Sequence, residues 1–340
     1  MTARQLRAGI TGYGLAGRYF HAPFLRAAGF EIIGATTSNI DRIAHLKEDF
    51  PDAAAYATVE ELLAQDLDLL VVASANVAHA SDAIAGLRAG VAVVVDKPMG
   101  RTYAEGKSIA DVAQQTGSLL TTFFNRRWDS DSLTIKKAIS EGILGNIFRI
   151  DSRFERFREE ANPSSWRERS SAADGGGNLL DLQPHLVSVA LDLFGPAKLV
   201  HASVRSIRGL SDDDVVLALR HDSGVDSYLS ASAIVGAPGP RIRVMGSKGA
   251  LVITELDKQE PLLRSGVNPE NGKWDVDTST PAKLHRGDEV SEYPAVAGNY
   301  TQFYLEVAAA IHGDGVMPVS VQDALDVALI IDQAREISIR

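Results

Sequence analysis

Cysteine is absent from the 340-residue chain. That excludes disulfides, thiolate metal sites and cysteine nucleophiles, and it fits a reducing cytoplasm. An excess of basic charge is also absent. Lys and Arg number 34 against 44 Asp and Glu, a formal net charge of -10, and no local basic stripe offsets it, so no nucleic-acid partner is expected. No apolar run approaches the ~20 residues of a membrane helix. Met1-Thr2-Ala3-Arg4-Gln5 leads into a strand without the apolar region of a signal peptide, so no membrane partner is expected either. Repeats and low-complexity stretches are lacking. What remains is an ordinary globular composition, 45% hydrophobic and 23% charged, in a chain long enough for two cores.

Residues 1–124 alternate strand and helix. Leu6–Ile10, Glu31–Thr36, Leu67–Ala73, Val91–Val95 and Leu119–Phe124 are apolar runs that read as strands. Arg18–Ala28, Ile40–Glu48, Ala78–Ala89 and Tyr103–Thr116 read as helices, with Gly29, Pro51, Gly90 and Gly117 as their stops. Thr58, with Glu61 three residues on, marks one more helix start. This order predicts an α/β domain, a doubly wound parallel Rossmann sheet over 1–124. Residues 125–340 change character. Helices are expected over Asp131–Glu141, Asp181–Phe194, Asn299–Ile311 and Val321–Arg335. Strands are expected at Ile147–Phe157, Leu199–Ile207, Val215–Arg220, Asp226–Ile234, Arg241–Met245 and Ala250–Thr254. Turns as short as His221-Asp222-Ser223-Gly224 and Gly246-Ser247-Lys248-Gly249 cannot carry parallel crossovers, so this second, α+β domain is expected to hold a mostly antiparallel sheet. Residues 255–296 read as irregular, and Asp212-Asp213-Asp214 as a solvated turn.

Three motifs carry chemistry. Gly12-Tyr13-Gly14-Leu15-Ala16-Gly17 follows a strand and opens a helix. Its first glycine permits a tight turn, its second admits a pyrophosphate, its third lets helix pack on strand, and the helix N-terminus faces the anion. Among 29 glycines the bare pattern is weak; its place in a βαβ unit is what gives it weight. The second strand should end beside the adenosine ribose, and there the chain reads Thr36-Thr37-Ser38-Asn39, without an acid before Asp41. Hydroxyl and amide groups, with Arg42 one turn on, favour NADP over NAD, although Ser38 or Asn39 could equally cap the next helix. Lys97 follows Val93-Val94-Val95-Asp96, at the strand end where open parallel sheets bind ligands, and is a candidate to hold a substrate oxygen or, exchanging roles with His185, to move its proton. Asp181 and His185 are an i, i+4 pair that would share a helix face, the carboxylate orienting an imidazole that takes a hydroxyl proton. Asp41 and His45 repeat that spacing, so it gains weight only from Lys97 and from Gly175-Gly176-Gly177 beside it. Together the motifs indicate a nicotinamide-dependent oxidoreductase of an alcohol or carbonyl, with no metal.

In this order the motifs resemble those of the Gfo/Idh/MocA family, and the resemblance covers essentially the whole chain. Ser74-Ala75-Asn76-Val77-Ala78-His79 looks like that family's segment beside the nicotinamide. Asn125-Arg126-Arg127-Trp128-Asp129-Ser130-Asp131, Arg156-Phe157-Arg158-Glu159, Trp166-Arg167-Glu168 and Gly298-Asn299-Tyr300 with Tyr304 are similar to the branch that holds NADP-dependent scyllo-inositol dehydrogenases. The resemblance implies that Lys97, Asp181 and His185 meet over the nicotinamide. It implies that Ser74, Asn76, His79 and Lys97 line the cofactor site with the glycine loop, Thr37, Ser38, Asn39 and Arg42. Asn125, Arg127, Arg158 and Trp166 would line the substrate pocket with His185. Asp96 stands where Glu is usual, Gln183 where Gly is common, Ser188 where Asp is common, and Asn39 where NADP-using relatives have Arg. The expected activity is reversible interconversion of a secondary alcohol and a ketone on a cyclic polyol or sugar. The expected quaternary state is a homo-oligomer built through the C-terminal sheet. The alternatives are a reductase of another carbonyl compound and a non-catalytic NADP-sensing regulator.

Overall fold

A computed structural model describes residues 4–162, 164, 165, 168, 170, 175–269 and 280–338. The chain forms two compact units, one from Met1–Phe123, Gln259–Val276 and Asn299–Leu325, the other from Phe124–Lys258, Asp277–Gly298 and Asp326–Arg340. The units are interleaved: after the first passage at residue 123/124, the chain returns to the first unit at Gln259 and again at Asn299.

The first unit holds β1 (Arg7–Thr11), β2 (Glu31–Thr36), β3 (Ala54–Tyr56), β4 (Leu69–Val72), β5 (Ala92–Asp96) and β6 (Leu120–Phe123). They are all parallel, in the order β3-β2-β1-β4-β5-β6 of dinucleotide-binding sheets. Every residue of β4, and Ala92 to Val95 of β5, is buried, as strands covered on both faces must be. The helices are α1 (Ala22–Ala27), α2 (Ile40–Asp49), α3 (Val59–Leu63), α4 (His79–Arg88) and α5 (Tyr103–Thr116). Local chemistry sets their ends. Thr58 and Thr102 accept the Glu61 and Glu105 N–H groups, and Gly117 closes α5 in the left-handed region. The helix expected over Arg18–Ala28 is instead a π-helical turn, Ala16–His21, running into α1. Pro23 lacks the N–H that would bond the Tyr19 carbonyl, so a regular α-turn cannot pass through it. β3 escaped the sequence pattern because Ala-Ala-Tyr has no apolar alternation; it exists by pairing with β2.

The second unit holds β7 (Ile147–Glu155), β8 (Ala197–Arg205), β9 (Asp214–His221), β10 (Asp226–Ser232), β11 (Ile242–Gly246), β12 (Gly249–Ile253), β13 (Ala282–Arg286) and β14 (Glu289–Tyr293), in the order β14-β13-β12-β11-β7-β10-β9-β8. The sheet is antiparallel except for its central pair, β7 and β10, which is parallel. The short turns account for the hairpins β9–β10 and β11–β12, but β7 leaves through helices and so escapes that rule. Helix α6 (Ser130–Ser140) contributes Ile135 and Ala138 to a core with Ile150, Val244, Leu251 and Leu284. The stretch 255–296 is not irregular throughout. It contains a helix, Gln259–Arg264, and the hairpin β13–β14 turning at Gly287. That hairpin buries Ala282, Leu284 and Tyr293 beneath otherwise polar strands, a pattern too sparse in apolar residues to stand out.

Candidate active site

The glycine loop lies at the carboxyl end of β1. Gly12 has φ 84, and its N–H bonds both the carbonyl and the hydroxyl of Thr36 at 3.1 Å. A Cβ there would lie 2.8 Å from the Ala73 carbonyl oxygen, and one at Gly17 would lie 2.2 Å from the Gly12 carbonyl oxygen. Only glycine fits either place. Tyr13 turns inward: its phenol donates to Asp49 Oδ2 at 2.9 Å, and burial with Asp49 holds its pKa well above the usual value. Leu15 is exposed and Ala16 opens the π turn. The arrangement suits a dinucleotide: backbone N–H groups at a helix start, and no side chain where the pyrophosphate must approach.

At the end of β2, Asn39 caps α2 by accepting the Arg42 N–H at 3.0 Å, and Thr37 Oγ1 accepts the Asn39 N–H. Ser38 is exposed. The Arg42 guanidinium folds over the loop, with its carbon 3.5 Å from where a Gly14 Cβ would stand. Ser74 Oγ donates to Asp82 at 2.8 Å, and Asn76 begins a short 3-10 turn. His79 is buried; Nδ1 lies 2.9 Å from the Pro98 carbonyl and Nε2 3.1 Å from that of Ser74, so the ring joins the ends of β4 and β5. Lys97 is half-buried at the end of β5, before a cis bond to Pro98, and its backbone N–H donates to Asp96 Oδ1 at 2.8 Å.

In the second unit the expected single helix over Asp181–Phe194 is two helices, α7 (Asn178–Asp181) and α8 (Gln183–Phe194), which break at Leu182. Pro184 has no N–H for the Leu180 carbonyl, and the His185 N–H reaches Leu182 instead, at 3.2 Å. Asp181 ends α7 and the buried His185 stands in the first turn of α8, so the pair does not share one regular helix face. Phe154 of β7 meets the His185 ring edge-on at 6.4 Å, and the guanidinium of Arg241 lies 4.1 Å from the Phe154 ring centre. The charge of Asp181 acts on the exposed Arg156: desolvation and Arg158 press its pKa down, while Asp181 and Glu168 oppose them.

The segment is tied down by buried polar groups. Gln183 donates to the carbonyls of Val215 and Leu229, Asn178 to that of Asp213 at 3.0 Å. Asp212-Asp213-Asp214 is therefore no solvated turn. Asp213 accepts from the Ile207 and Arg208 N–H groups, Asp214 pairs with Arg205, and Asp212 Oδ1 accepts the Leu179 N–H at 2.7 Å. Gly177, at φ 89, faces that carboxylate so closely that a Cβ would overlap it. Asn125 and Arg127 are buried in the same unit. Arg127 Nε donates to Ser188 Oγ at 2.8 Å and its guanidinium lies 3.6 Å from Asp192, which anchors it to α8. Arg158 is half exposed, 3.7 Å from Glu168. Trp166 lies outside the described residues.

The structure thus adds Arg156, Phe154 and Asp212 to the neighbourhoods of Asp181 and His185. Of these, only Arg156 carried a sequence signal, its place beside Arg158. Among the described residues no cluster of His, Asp and Glu is placed to hold a metal ion, and no helix is long and apolar enough to cross a membrane.

Residues 6–124 match the description "Oxidoreductase family, NAD-binding Rossmann fold" and residues 136–338 match "Oxidoreductase family, C-terminal alpha/beta domain", both of Gfo/Idh/MocA. The chain is 34% identical to scyllo-inositol 2-dehydrogenase (NADP(+)) IolW of Bacillus subtilis over 98% of this chain and 94% of that protein. It is 32% identical to the uncharacterized oxidoreductase YdgJ of Escherichia coli over 96% of this chain and 94% of that protein. The solved structure of the putative oxidoreductase yvaA from Bacillus subtilis superposes with a TM-score of 0.89 at 32% identity, covering 99% of this chain and 97% of that one. With the glycine cradle, the strand order and both family regions in place, the chain belongs to the Gfo/Idh/MocA oxidoreductases and is an NAD(P)-dependent dehydrogenase.

Proposed function

We propose that this dehydrogenase interconverts a secondary alcohol and a ketone on a cyclic polyol, with NADP preferred. The observation that carries the reading is Lys97 at the carboxyl edge of β5, the same edge of the parallel sheet at which the Gly12–Gly17 loop turns. Open parallel sheets bind ligands at that edge. The similarity to an NADP-dependent scyllo-inositol dehydrogenase over nearly the whole chain supports the substrate class.

A nicotinamide dinucleotide held by the Gly12–Gly17 loop would supply the acceptor for the hydride of the carbinol carbon. Lys97 holds the substrate oxygen and stabilises the charge that develops on it. His185 takes the hydroxyl proton, and Asp181 favours the charged imidazolium that results. In the reverse direction His185 returns the proton to the oxygen. Asn125, Arg158 and Trp166 are assigned to substrate, Arg127 to positioning α8. The glycine loop, Thr37, Ser38, Asn39, Arg42, Ser74, Asn76 and His79 serve the cofactor. NADP preference follows from the missing acid at the end of β2 and from Arg42, whose guanidinium beside Gly14 offers a phosphate a bidentate partner.

The test follows absorbance at the reduced-nicotinamide band while NAD or NADP is offered with each inositol isomer and common aldoses. Turnover of an inositol with NADP is expected. Lys97→Ala should bind NADP normally yet lose about 1000-fold in kcat, and Arg42→Ala should lose most of the preference for NADP over NAD. Full turnover by Lys97→Ala would sink the assignment of Lys97, and reduction of only acyclic or nucleotide-linked carbonyls would replace the substrate class.

A further inference from the structure

Behind Lys97 lies a polar series in which His21 and Tyr304 are wholly buried and Asp96 is partly so. His21, wholly buried where the π turn meets α1, sets Nδ1 2.5 Å from the Tyr304 hydroxyl and Nε2 3.8 Å from Asp96 Oδ1. That same Asp96 oxygen accepts the Lys97 backbone N–H. Tyr304, on the helix Thr301–His312, is also wholly buried, and the surroundings are aromatic: Phe123 packs 4.6 Å from the His21 ring and 5.8 Å from the Tyr304 ring. A phenol, an imidazole and a carboxylate cost free energy in such a place, and an apolar trio would pack there more cheaply.

His21 Nε2 faces Asp96 at 3.8 Å without a hydrogen bond, and Nδ1 shares a hydrogen bond with the Tyr304 hydroxyl. Burial and the charge of Asp96 hold the phenol pKa well above the usual value, so Tyr304 keeps its proton. The groups that face Asp96 are His21 from the π turn, Lys97 on its own strand end and His79 from α4. Burial alone would push the Asp96 carboxyl up. His21, then Lys97 and His79, outweigh it and hold it below its ordinary value.

We propose that His21 is a positioning residue for the reaction: oriented by Tyr304, it packs against the Asp96 carboxylate that accepts the Lys97 backbone N–H, and so sets the placement of the Lys97 amine. This rests on the reading of Lys97 as the group that holds the substrate oxygen.

The test separates the two claims. The chain is labelled with carboxyl-13C aspartate, the Asp96 signal is identified by its loss in Asp96→Asn, and its titration is followed without substrate. In the parent chain Asp96 should stay ionised down through the ordinary carboxylate range. His21→Gln should move its midpoint up by about one pH unit or more, and Tyr304→Phe should move it the same way by less. With scyllo-inositol and NADP as the probe, the acid limb of kcat should shift upward by the same amount while the affinity for NADP is unchanged. A merely structural role would lower stability without moving that midpoint. An unshifted Asp96 midpoint in a folded His21→Gln or Tyr304→Phe chain overturns the proposal, whatever Lys97→Ala does. Should His21→Gln fail to fold, Tyr304→Phe decides. A fully active Lys97→Ala would instead overturn the underlying reading, even with the Asp96 midpoint shifted.

Discussion

The two units hold their functional residues by different means. In the first, the cofactor cradle is a matter of backbone. Six consecutive residues turn at Gly12, and the approach of Gly17 to the Gly12 carbonyl needs a hydrogen where other residues have a Cβ. In the second, the segment that bears Asp181 and His185 is held from a distance. Asp212 takes the Leu179 N–H, Asn178 reaches the Asp213 carbonyl, and Gln183 spans two strands through Val215 and Leu229. The first arrangement is unforgiving of added volume. The second depends on matched buried polar groups, where losing one partner strands the other.

The comparison breaks most sharply at Gly17. Gly17→Ala should lower NADP affinity at least about 100-fold and cost about 2–3 kcal/mol of stability, because the new methyl meets backbone that cannot move aside. Fluorescence titration of reduced nicotinamide and thermal unfolding measure the two effects. If Gly17→Ala binds NADP as the parent does, the cradle is not built as described. Gln183→Ala should cost about 1–3 kcal/mol through two vacated carbonyls, while leaving NADP affinity intact. A matching fall in NADP affinity would show that the two kinds of support are not separable.

Asp212 gives an effect confined to one range of pH. Burial pushes its carboxyl up to about 6, with Asp213 adding to the rise and the Leu179 N–H and Arg335 opposing it. The folded chain therefore holds this proton more tightly than an unfolded carboxyl, which titrates near pH 3.9. This group's contribution to stability is full below about pH 4 and is lost as the pH rises toward about 6. Asp212→Asn keeps an oxygen for the Leu179 N–H and removes the charge. It should match the parent chain near pH 4 and be more stable by up to about 3 kcal/mol at pH 7. Equal melting temperatures at both pH values would show that the carboxyl is not perturbed.

What could be read directly from residue order follows the same division. The glycine loop, the Thr58 cap, the Gly117 stop and the buried runs of β4 and β5 all depend on neighbours within a few residues, and each stands in the structure where local chemistry puts it. The break at Leu182 was also written locally, in Pro184, but the i, i+4 spacing of Asp181 and His185 masked it. Asp212-Asp213-Asp214 misled for the opposite reason. Three acids in a row look solvated until Arg205, Arg208 and the Leu179 N–H arrive from elsewhere in the chain. The β13–β14 hairpin was hidden because only three of its residues are buried.

The amino-acid order by itself determined the parallel dinucleotide-binding sheet, its glycine cradle and the strand-end position of Lys97. These follow from backbone sterics and short-range hydrogen bonding, which act between near neighbours. Only the tertiary structure decided what surrounds those residues. His21 meets Tyr304 across 283 positions, and Gln183 meets Leu229 across 46. A buried polar side chain takes whatever partner folding brings to it, and that pairing is settled by the packing of whole elements rather than by spacing along the chain.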